Sequence, residues 1–579
     1  MVISMKYEIS KTLFKEYSKC DSCFSLYNIY RMKNKSEFNE DTNKKYLNLM
    51  FDKDGNDLVF PIDRQMEIML PYYKEVEKIS MDIASSTFNK KFNYYEDNLK
   101  QKEIKFIDKN GYLFHTYLDG YYEDNDEIYI IEVKATTNNG FLNMGPKIKG
   151  QFISIFKKDS NIISLKEEAY KLKEFQNAYK KLYDRNDDSG SYIYDIAITS
   201  FIMDNYLKQN GINKKINYYL AVLNSKYEYD GVSLYNKFKG EDVVNFIDVN
   251  DILSNYKEIL LNDYNNIVRR ISEKKLNSLY SKNCKECPFK KICFPLFNDK
   301  DHIESLLVPK KVSINGEKMD VVSLINNGYH YIKDLPYEAL EHRNHIIQWE
   351  SVCNDYIHMN KDNIKRIINE NIKYPIYHLD FESFQSPLPR FYKEKPYMHS
   401  VFQYSIHIQK DKNECRFKED NYYFLPSDFL DHREEMIKEM IETIDLSNGG
   451  TVLVYNKNFE YSRICEFIKM FPKYKDKLQN ILDHMFDLLD VVRKDKGSDE
   501  INFYDKRLHG SFSIKKVLPI FTNMSYDNLG VKNGVEAQIA YGMFKTLDKE
   551  DIISLRNELI EYCGQDTYSM YLILKEIDK

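Results

Sequence analysis

The stretch YPIYHLDFESF, residues 374–384, ends an apolar, strand-like run with two carboxylates, Asp380 and Glu382. Successive side chains of a β-strand point to opposite faces, so residues two apart share a face. Asp380 and Glu382 would therefore point the same way. Two carboxylates held side by side in a buried place repel each other unless cations relieve their charge. The stretch thus predicts a metal site at the end of a buried strand.

Two segments further along the chain supply groups of the same kind. In GGTVLVYNKNFEYSRICEF, residues 449–467, a Gly-Gly turn precedes an apolar strand, and Glu460 lies in the first turn of the helix that follows. In the last predicted helix, Tyr562 and Asp566 are four residues apart and share one face. Two divalent ions held by four carboxylates can activate a water and stabilise the leaving oxygen of a phosphodiester. A nearby tyrosine hydroxyl can position that water.

These segments resemble the DnaQ-like DEDD exonucleases, in their tyrosine-bearing variant, whose fold is ribonuclease H-like. Asp380 and Glu382 match the first motif, YNKNFE with Glu460 matches the second, and Tyr562 with Asp566 matches the third. The resemblance implies 3′-end hydrolysis with Mg²⁺ or Mn²⁺, and it implies that these residues form the catalytic and metal-binding site.

The fourth carboxylate of this set has rival candidates. The second motif has Glu460 where the family usually has Asp, and Asp487 and Asp490 in MFDLLDVV are alternatives. Each motif is short, and similar pairs occur by chance on ordinary helices and loops. The order of the motifs along the chain is what favours the functional interpretation.

A second carboxylate strand occurs earlier, in FHTYLDGYYEDNDEIYIIEVKATT, residues 114–137. The turn-rich YEDNDE separates two strand-like runs. Glu132 and Lys134 share one face of the second run, and Asp119 ends the first run. An Asp and a Glu can hold a divalent metal through oxygen ligands, and a lysine beside them can stabilise charge on a phosphate. The alternative is a solvated hairpin face.

The cysteines are unevenly distributed. Of nine in the chain, three lie in NCKECPFKKICFP, residues 283–295, and Cys20 and Cys23 lie in SKCDSCFSL. The spacing Cys-x2-Cys-x5-Cys offers three thiolates and needs a fourth ligand. The four remaining cysteines are most simply small core residues.

With these cysteines, the first half of the chain resembles the RecB-type nucleases of the PD-(D/E)xK superfamily, and most of all their CRISPR-associated exonuclease branch. The opening ISKTLFKEYSKC matches the start of that branch. The resemblance implies a restriction-endonuclease-like domain with Asp119, Glu132 and Lys134 at its catalytic site. It also implies a [4Fe–4S] cluster, with these ligands: Cys20, Cys284, Cys287 and Cys293.

Two alternatives remain open for this half. Two Cys-x2-Cys pairs, at residues 20–23 and 284–287, could hold zinc and leave Cys293 spare. The family usually has a metal-binding histidine before the Asp and a glutamine on a later helix, but residues 60–80 contain no histidine and Thr199 lies where the glutamine would fall. The first half could therefore be a nucleic-acid-binding scaffold that keeps only the metal cluster.

The composition bounds the class of protein. A chain of 579 residues predicts several domains, and we expect α/β domains at 1–300 and 371–579 joined by a helical connector at 301–370. The formal charge of −6 places any nucleic-acid binding on local basic patches, such as NIVRRISEKK at 266–275. No apolar run reaches membrane-spanning length and no signal pattern precedes the first domain, so we expect a soluble, cytoplasmic protein without a membrane partner.

The sequence as a whole also resembles uncharacterised bacterial proteins that fuse these two modules. GSFSIKKVLPIF at 510–521 and MSYDNLGVKNGVEAQIAYGMF at 524–544 match the C-terminal half of that family. We therefore expect a metal-dependent nuclease that acts on nucleic-acid ends, with DNA favoured over RNA as the substrate.

Overall fold

The computed structural model divides the chain into two compact units. The first unit is Met1–Phe294 with Ser386–Met398, and the second is Pro295–Gln385 with His399–Lys579. Residues 301–370, expected as a separate helical connector, lie within the second unit. The structure describes residues 7–32, 64–96, 100–285, 287, 289–298, 300–412, 415–494 and 498–579.

The first unit is built around two main sheets. A three-stranded sheet has the order β1-β3-β2, a six-stranded sheet has the order β4-β5-β10-β11-β9-β8, and β6 pairs with β7. The strands are β1 (Tyr7–Ser10), β2 (Lys102–Ile107), β3 (Tyr112–Leu118), β4 (Gly120–Glu123), β5 (Glu127–Thr137), β6 (Lys147–Ile148), β7 (Gln151–Phe152), β8 (Phe156–Asp159), β9 (Ile162–Leu165), β10 (Lys215–Leu223) and β11 (Val244–Asp248).

The helices of the first unit pack on these sheets. The long helix α7 (Asp188–Asn210) has Asp187 as its N-cap, whose side chain accepts from the backbone N–H of Ser189, and Gly211 in the left-handed conformation as its C-cap. The helices are α1 (Lys11–Tyr17), α2 (Cys23–Met32), α3 (Arg64–Phe88), α4 (Asn139–Leu142), α5 (Glu168–Lys171), α6 (Gln176–Lys181), α7 (Asp188–Asn210), α8 (Asn250–Leu253), α9 (Tyr256–Glu273) and α10 (Lys290–Cys293).

Strand β5 is buried on both faces, which explains its nearly continuous apolar sequence. Ile128 and Ile130 belong to one core cluster, whereas Ile131 and Val133 belong to another on the opposite face. The expected turn at YEDNDE is present, because β4 pairs antiparallel with β5 on either side of it. Glu132 therefore lies within a buried strand of the unit.

The second unit contains a five-stranded mixed sheet with the order β17-β16-β15-β18-β19. The carboxylate strand β15 is its centre, antiparallel to β16 and parallel to β18. Two small antiparallel pairs, β12 with β13 and β14 with β20, lie outside it. The strands are β12 (Lys311–Ile314), β13 (Glu317–Asp320), β14 (His358–Met359), β15 (Ile376–Gln385), β16 (His399–Gln409), β17 (Asn421–Phe424), β18 (Thr451–Val454), β19 (Met485–Asp487) and β20 (Phe503–Tyr504).

The helices of the second unit include the long helix α20 (Lys549–Ile577), whose N-cap Asp548 accepts from two backbone N–H groups. Asp548 thereby satisfies donors that the helix itself leaves unpaired. The helices are α11 (Val321–Asn326), α12 (Arg343–Asn354), α13 (Lys361–Asn371), α14 (Arg433–Thr443), α15 (Asn458–Met470), α16 (Lys475–Asp483), α17 (Leu488–Val492), α18 (Ile514–Phe521), α19 (Gly534–Met543) and α20 (Lys549–Ile577).

Helix α20 is attached to the sheet by buried polar contacts. Thr567 Oγ1 lies 2.8 Å from Ser405 Oγ and 2.8 Å from His407 Nδ1, both on β16. The Gln403 amide donates to the carbonyl of Leu559 at 2.9 Å. Because buried polar groups need specific partners, these contacts set how the helix is rotated against the sheet.

The Gly-Gly turn before β18 is required by its backbone geometry. Gly450 has φ +130°, and a Cβ there would lie 2.7 Å from the carbonyl oxygen of Pro375. Gly449 also has a positive φ, +83°, but a Cβ there would meet open space. The turn therefore needs glycine at both positions because φ is positive. At Gly450 a side chain would also collide with the carbonyl oxygen of Pro375.

We expect Gly450→Ala to destabilise the second unit more than Gly449→Ala. Backbone strain alone should cost each variant about 1–2 kcal/mol, and the steric conflict with Pro375 should add to the cost at Gly450. Denaturant unfolding of the two variants measures the difference. Equal losses of stability would show that the approach of the two backbones does not constrain this turn.

Candidate functional site

Four carboxylates of the second unit converge at the centre of its sheet, and we call them the carboxylate site. Asp380 and Glu382 come from β15, Glu460 from the first turn of α15, and Asp566 from α20. The pKa of Asp380 is raised by burial first and then by the charges of Asp566, Glu382 and Glu460, which places all four within electrostatic reach. Segments separated by nearly two hundred residues thus meet at one place.

Strand β15 changes register immediately after these residues. The pairing of β15 with β16 shifts between Glu382 and Ser383. β-Bulges of this kind are common beside functional sites, because they redirect a strand. Asp380 and Glu382 lie before the shift and keep the common face predicted from their spacing.

Three members of the carboxylate site are buried, and Asp380 is partly exposed. Glu382 is 7%, Glu460 3% and Asp566 8% exposed. Burial is the largest cause of the raised pKa values of Asp380, Glu382 and Asp566. Charged carboxylates at such a place require a compensating positive charge, whereas protonated ones do not. The site is therefore built for cations or for protons.

Glu460 is the member with an unsatisfied oxygen. Burial raises the pKa of Glu460 to about 8, and the charges of Asp487 and Asp566 add to the effect. Its Oε2 is buried and has no hydrogen-bond partner. Buried polar atoms without a partner are rare in folded proteins, and an unoccupied ligand position is one explanation for them.

Asp487, the rival for the fourth carboxylate, is engaged elsewhere. Its Oδ1 accepts from the backbone N–H of Asn456 at 2.9 Å and of Leu489 at 3.0 Å, and its Oδ2 accepts from Lys457 at 2.9 Å. It is the N-cap of α17 and also holds the loop before α15. Of the two side chains, Glu460 has the oxygen that can take a further ligand.

Two tyrosine hydroxyl groups and one lysine ammonium group lie around Asp566. The Tyr526 hydroxyl donates to Asp566 Oδ1 at 2.6 Å, and Lys515 Nζ lies 3.3 Å from the hydroxyl oxygen of Tyr562. Lys515 lowers the pKa of Glu382, although burial and Asp566 outweigh it. Tyr562 was predicted, but Lys515 and Tyr526 were not assigned a role. Lys515 and Tyr526 lie in the segments 510–521 and 524–544, which resemble uncharacterised bacterial proteins, and this resemblance is the sequence feature that could have pointed to them.

Cys563 is a further group that the sequence did not assign to the site. It was expected to be a small core residue, and it is fully buried. Its sulfur lies 3.7 Å from Asp380 Oδ2. Asp380, Glu382 and Cys563 each offer one ligand atom within 4.8 Å of the others, the sole such trio among the residues that the structure describes.

The predicted residues of the first unit lie in a cluster of opposite charges, which we call the lysine–carboxylate cluster. Glu132 Oε1 accepts from Lys134 Nζ at 3.1 Å and from Lys11 Nζ at 2.9 Å. Asp195 accepts from Lys134 at 2.8 Å and from Lys15 at 2.6 Å. Burial opposes the charge of Asp195, but the ammonium groups of Lys134, Lys15 and Lys11 outweigh it and hold its pKa well below the usual value.

Asp119 lies beside this cluster, directly before β4. Its Oδ2 accepts from the backbone N–H of Val133 at 2.7 Å. Thr199 is one turn beyond Asp195 on α7 and donates to the Asp195 carbonyl at 3.4 Å. Asp195 lies on the same helix and contacts Lys134, and the sequence analysis did not single it out.

The five cysteines near the two sequence ends of the first unit come together, and we call them the cysteine group. Cys20 Sγ lies 3.0 Å from Cys23 Sγ, and hydrogen bonding from Cys23 lowers the pKa of Cys20 to about 5. Burial raises the pKa of Cys287 to about 12, and Cys20, Cys284 and Cys293 add to it. Burial likewise raises the pKa of Cys293 to about 11.

The basic run at 266–275 is used mainly inside the first unit. Arg269 and Arg270 both contact Asp21, at 2.7 Å and 3.0 Å. Arg270 also donates to the carbonyl of Tyr17 at 2.7 Å. These arginines join α9 to the segment that contains Cys20.

Comparison with known proteins identifies relatives without assigning a function. A domain of unknown function, DUF2779, matches residues 377–513, which contain Asp380, Glu382 and Glu460. An uncharacterized protein of Mycoplasma genitalium is 30% identical over 215 residues, 34% of this chain and 31% of that protein. An uncharacterized protein of Ureaplasma parvum is 29% identical over 221 residues, 35% of this chain and 31% of that protein.

The chain thus spans about a third of the length of these curated relatives. No solved structure matches the chain. Among the helices in the described part of the chain, none combines the length and apolarity needed to cross a membrane.

The raised pKa of Glu460 predicts a pH dependence for the protein without divalent ions. Its pKa is about 8 in the folded state against an ordinary value of 4.5. Between these values the folded state binds more protons, so the free energy of unfolding should fall as pH rises from about 4.5 to 8. Glu460→Gln should weaken this fall, as measured by unfolding in chelator at several pH values.

Asp483→Asn is the control, because Asp483 is an exposed carboxylate of the same unit. It should keep the wild-type pH dependence. An unchanged slope in Glu460→Gln would show that Glu460 does not titrate in this range.

Proposed function

We propose that this protein is a metal-dependent nuclease whose second unit hydrolyses phosphodiester bonds at the 3′ ends of nucleic acids. The observation that supports this is the convergence of four carboxylates from three separate elements at one buried place: Asp380, Glu382, Glu460 and Asp566. A structural role does not explain such a cluster, because buried like charges destabilise a fold.

The residues present fit divalent ions such as Mg²⁺ or Mn²⁺. Carboxylate oxygens are their preferred ligands, and the unpartnered Oε2 of Glu460 is an available donor atom. The residues that would hold the ions are Asp380, Glu382, Glu460 and Asp566. When bound, such ions activate a water and stabilise the leaving oxygen of a phosphodiester.

The remaining side chains have roles set by their contacts. The hydroxyl of Tyr562 lies on the same helix face as Asp566 and would orient the attacking water. Lys515, 3.3 Å from that hydroxyl, restricts its position. Tyr526 holds Asp566 through a 2.6 Å hydrogen bond, which keeps the carboxylate aimed at the site.

The sheet of the second unit supports a ribonuclease H-like fold for this domain. Its central strand bears the first two carboxylates, and a helix packed on the same sheet bears Tyr562 and Asp566. This is the placement that the DEDD resemblance requires. The proposed substrate is therefore a nucleic-acid strand with a free 3′ end, DNA in preference to RNA, and the proposed location is the cytoplasm.

For the first unit we propose a RecB-type PD-(D/E)xK domain with Asp119, Glu132 and Lys134 at the corresponding site. Glu132 and Asp119 are both engaged by protein groups, namely Lys11, Lys134 and the Val133 backbone. These carboxylates fit a divalent ion less well than those of the second unit, so we derive no metal-dependent step there. The contact of Lys11 with Glu132 favours the alternative role, a unit that binds nucleic acid without cutting it.

The cysteine group supports an iron–sulfur cluster more than zinc. Zinc bonds of about 2.3 Å place thiolate sulfurs about 3.8 Å apart. Within the part of the chain that the structure describes, no three cysteine sulfurs lie within 4.8 Å of one another. We propose Cys20, Cys284, Cys287 and Cys293 as the ligands of a [4Fe–4S] cluster, which would join the two ends of the first unit.

The proposed function is tested with end-labelled DNA and RNA strands. Asp380→Asn and Asp566→Asn should each lower 3′-end degradation on the order of 10³-fold, because each removes a charged ligand without changing side-chain size. Asp483→Asn should degrade strands like the wild type. Wild-type rates in both site variants would show that the carboxylate site is not catalytic.

Glu132→Gln, measured in the same assay, separates the two roles of the first unit. A RecB-type active site predicts the loss of a second cleavage activity. A binding unit predicts unchanged cleavage by the second unit at saturating substrate.

The cluster assignment is tested by composition and colour. Protein purified without oxygen should absorb visible light and contain iron in the ratio of a [4Fe–4S] cluster. Cys284→Ala should lose the iron, whereas Cys353→Ala, which changes an exposed cysteine of the second unit, should keep it. Colourless protein with stoichiometric zinc would reverse the assignment.

A further inference from the structure

Cys563 is a thiol of the buried core that also lies beside a carboxylate of the site. It lies on α20 between Tyr562 and Asp566, and none of its surface is exposed. Its sulfur is 3.7 Å from Asp380 Oδ2 and 4.0 Å from the Asp380 carbonyl oxygen.

The spacing of the three groups suits ligands of one ion. Asp380, Glu382 and Cys563 each place one donor atom within 4.8 Å of the other two. In a tetrahedral site, an oxygen at about 2.1 Å and a sulfur at about 2.3 Å from the ion are about 3.6 Å apart. The distance between Cys563 Sγ and Asp380 Oδ2, where the thiol now donates a hydrogen bond, is 3.7 Å and is close to that value.

A second, independent observation also points to a cation. Glu460 is 3% exposed, and its Oε2 has no partner. Glu460 also lies within electrostatic reach of Asp380 and Glu382. The carboxylate site beside the thiol therefore contains a buried oxygen donor without a partner, and Lys515 offsets only part of its negative charge.

We propose that Cys563 is a metal ligand, and that the ion held by Asp380, Glu382 and Cys563 is a borderline transition ion such as Zn²⁺, Fe²⁺ or Co²⁺ rather than Mg²⁺. Thiolate ligands favour such ions, whereas Mg²⁺ prefers oxygen ligands and retains its waters. The inference rests on the metal site of the proposed function, but it does not require nuclease activity. The second unit would then bind one transition ion that accepts a thiolate ligand.

The test is metal binding by the full-length protein, with Co²⁺ and Mg²⁺ as separate probes. A thiolate bound to Co²⁺ gives a charge-transfer band in the near ultraviolet. Wild type should show this band, and Cys563→Ser should lose the part of it that belongs to this site. The same variant should lower Co²⁺ affinity there by about tenfold or more while changing Mg²⁺ affinity by less than about twofold.

Two variants serve as references. Cys415→Ser changes another buried cysteine of the second unit and should keep the wild-type band and affinities. Asp380→Asn should weaken the binding of both Co²⁺ and Mg²⁺. This loss would show that the Co²⁺ band missing in Cys563→Ser comes from the site that contains Asp380. The cysteine group of the first unit is unchanged in every variant, so its contribution cancels in the difference spectra.

A Cys563→Ser protein that binds Co²⁺ as tightly as wild type, with the same band, would overturn the proposal. Thermal unfolding checks that each variant is folded, and Cys563→Ala provides a second replacement that adds no oxygen donor. If the strands of the end-labelled assay are not degraded but the Co²⁺ difference remains, the nuclease proposal fails and the thiol ligand stands.

Discussion

Repulsion among buried carboxylates is the constraint on which the second unit depends. Two like charges about 4 Å apart near a protein surface cost about 4 kcal/mol, and here Asp380 has three acidic neighbours. The fold tolerates them only with bound cations or bound protons. The raised pKa of Glu460 and its unpartnered oxygen both arise because this buried carboxylate lies near other acidic groups and has no donor for its Oε2.

The rest of the unit holds these groups in place against that repulsion. The central strand β15 presents two of them, and the buried contacts of Thr567 with β16 set the rotation of α20 that presents Asp566. Tyr526 fixes the carboxylate of Asp566 by a hydrogen bond. A rigid frame of this kind lets the charges act on a ligand instead of relaxing away from one another.

The first unit resolves the same problem differently. Its Glu132 is as deeply buried, but Lys11 and Lys134 supply the positive charge from within the protein. Lys11 comes from α1, far from Glu132 in sequence, and nothing in the strand motif predicts it. Similar motifs can thus lead to one site that needs bound cations or protons and another whose charge is already balanced within the protein.

The sequence by itself determined the mixed α/β class, the common face of Asp380 and Glu382, and the helix face shared by Tyr562 and Asp566. These follow from the repeats of strands and helices, which are local properties. Only the tertiary structure decided that Glu460 rather than Asp487 has an available oxygen, that Cys563 lies beside Asp380, and that Lys11 reaches Glu132. Such contacts join residues distant along the chain, and they depend on how strands and helices pack, which no local pattern encodes.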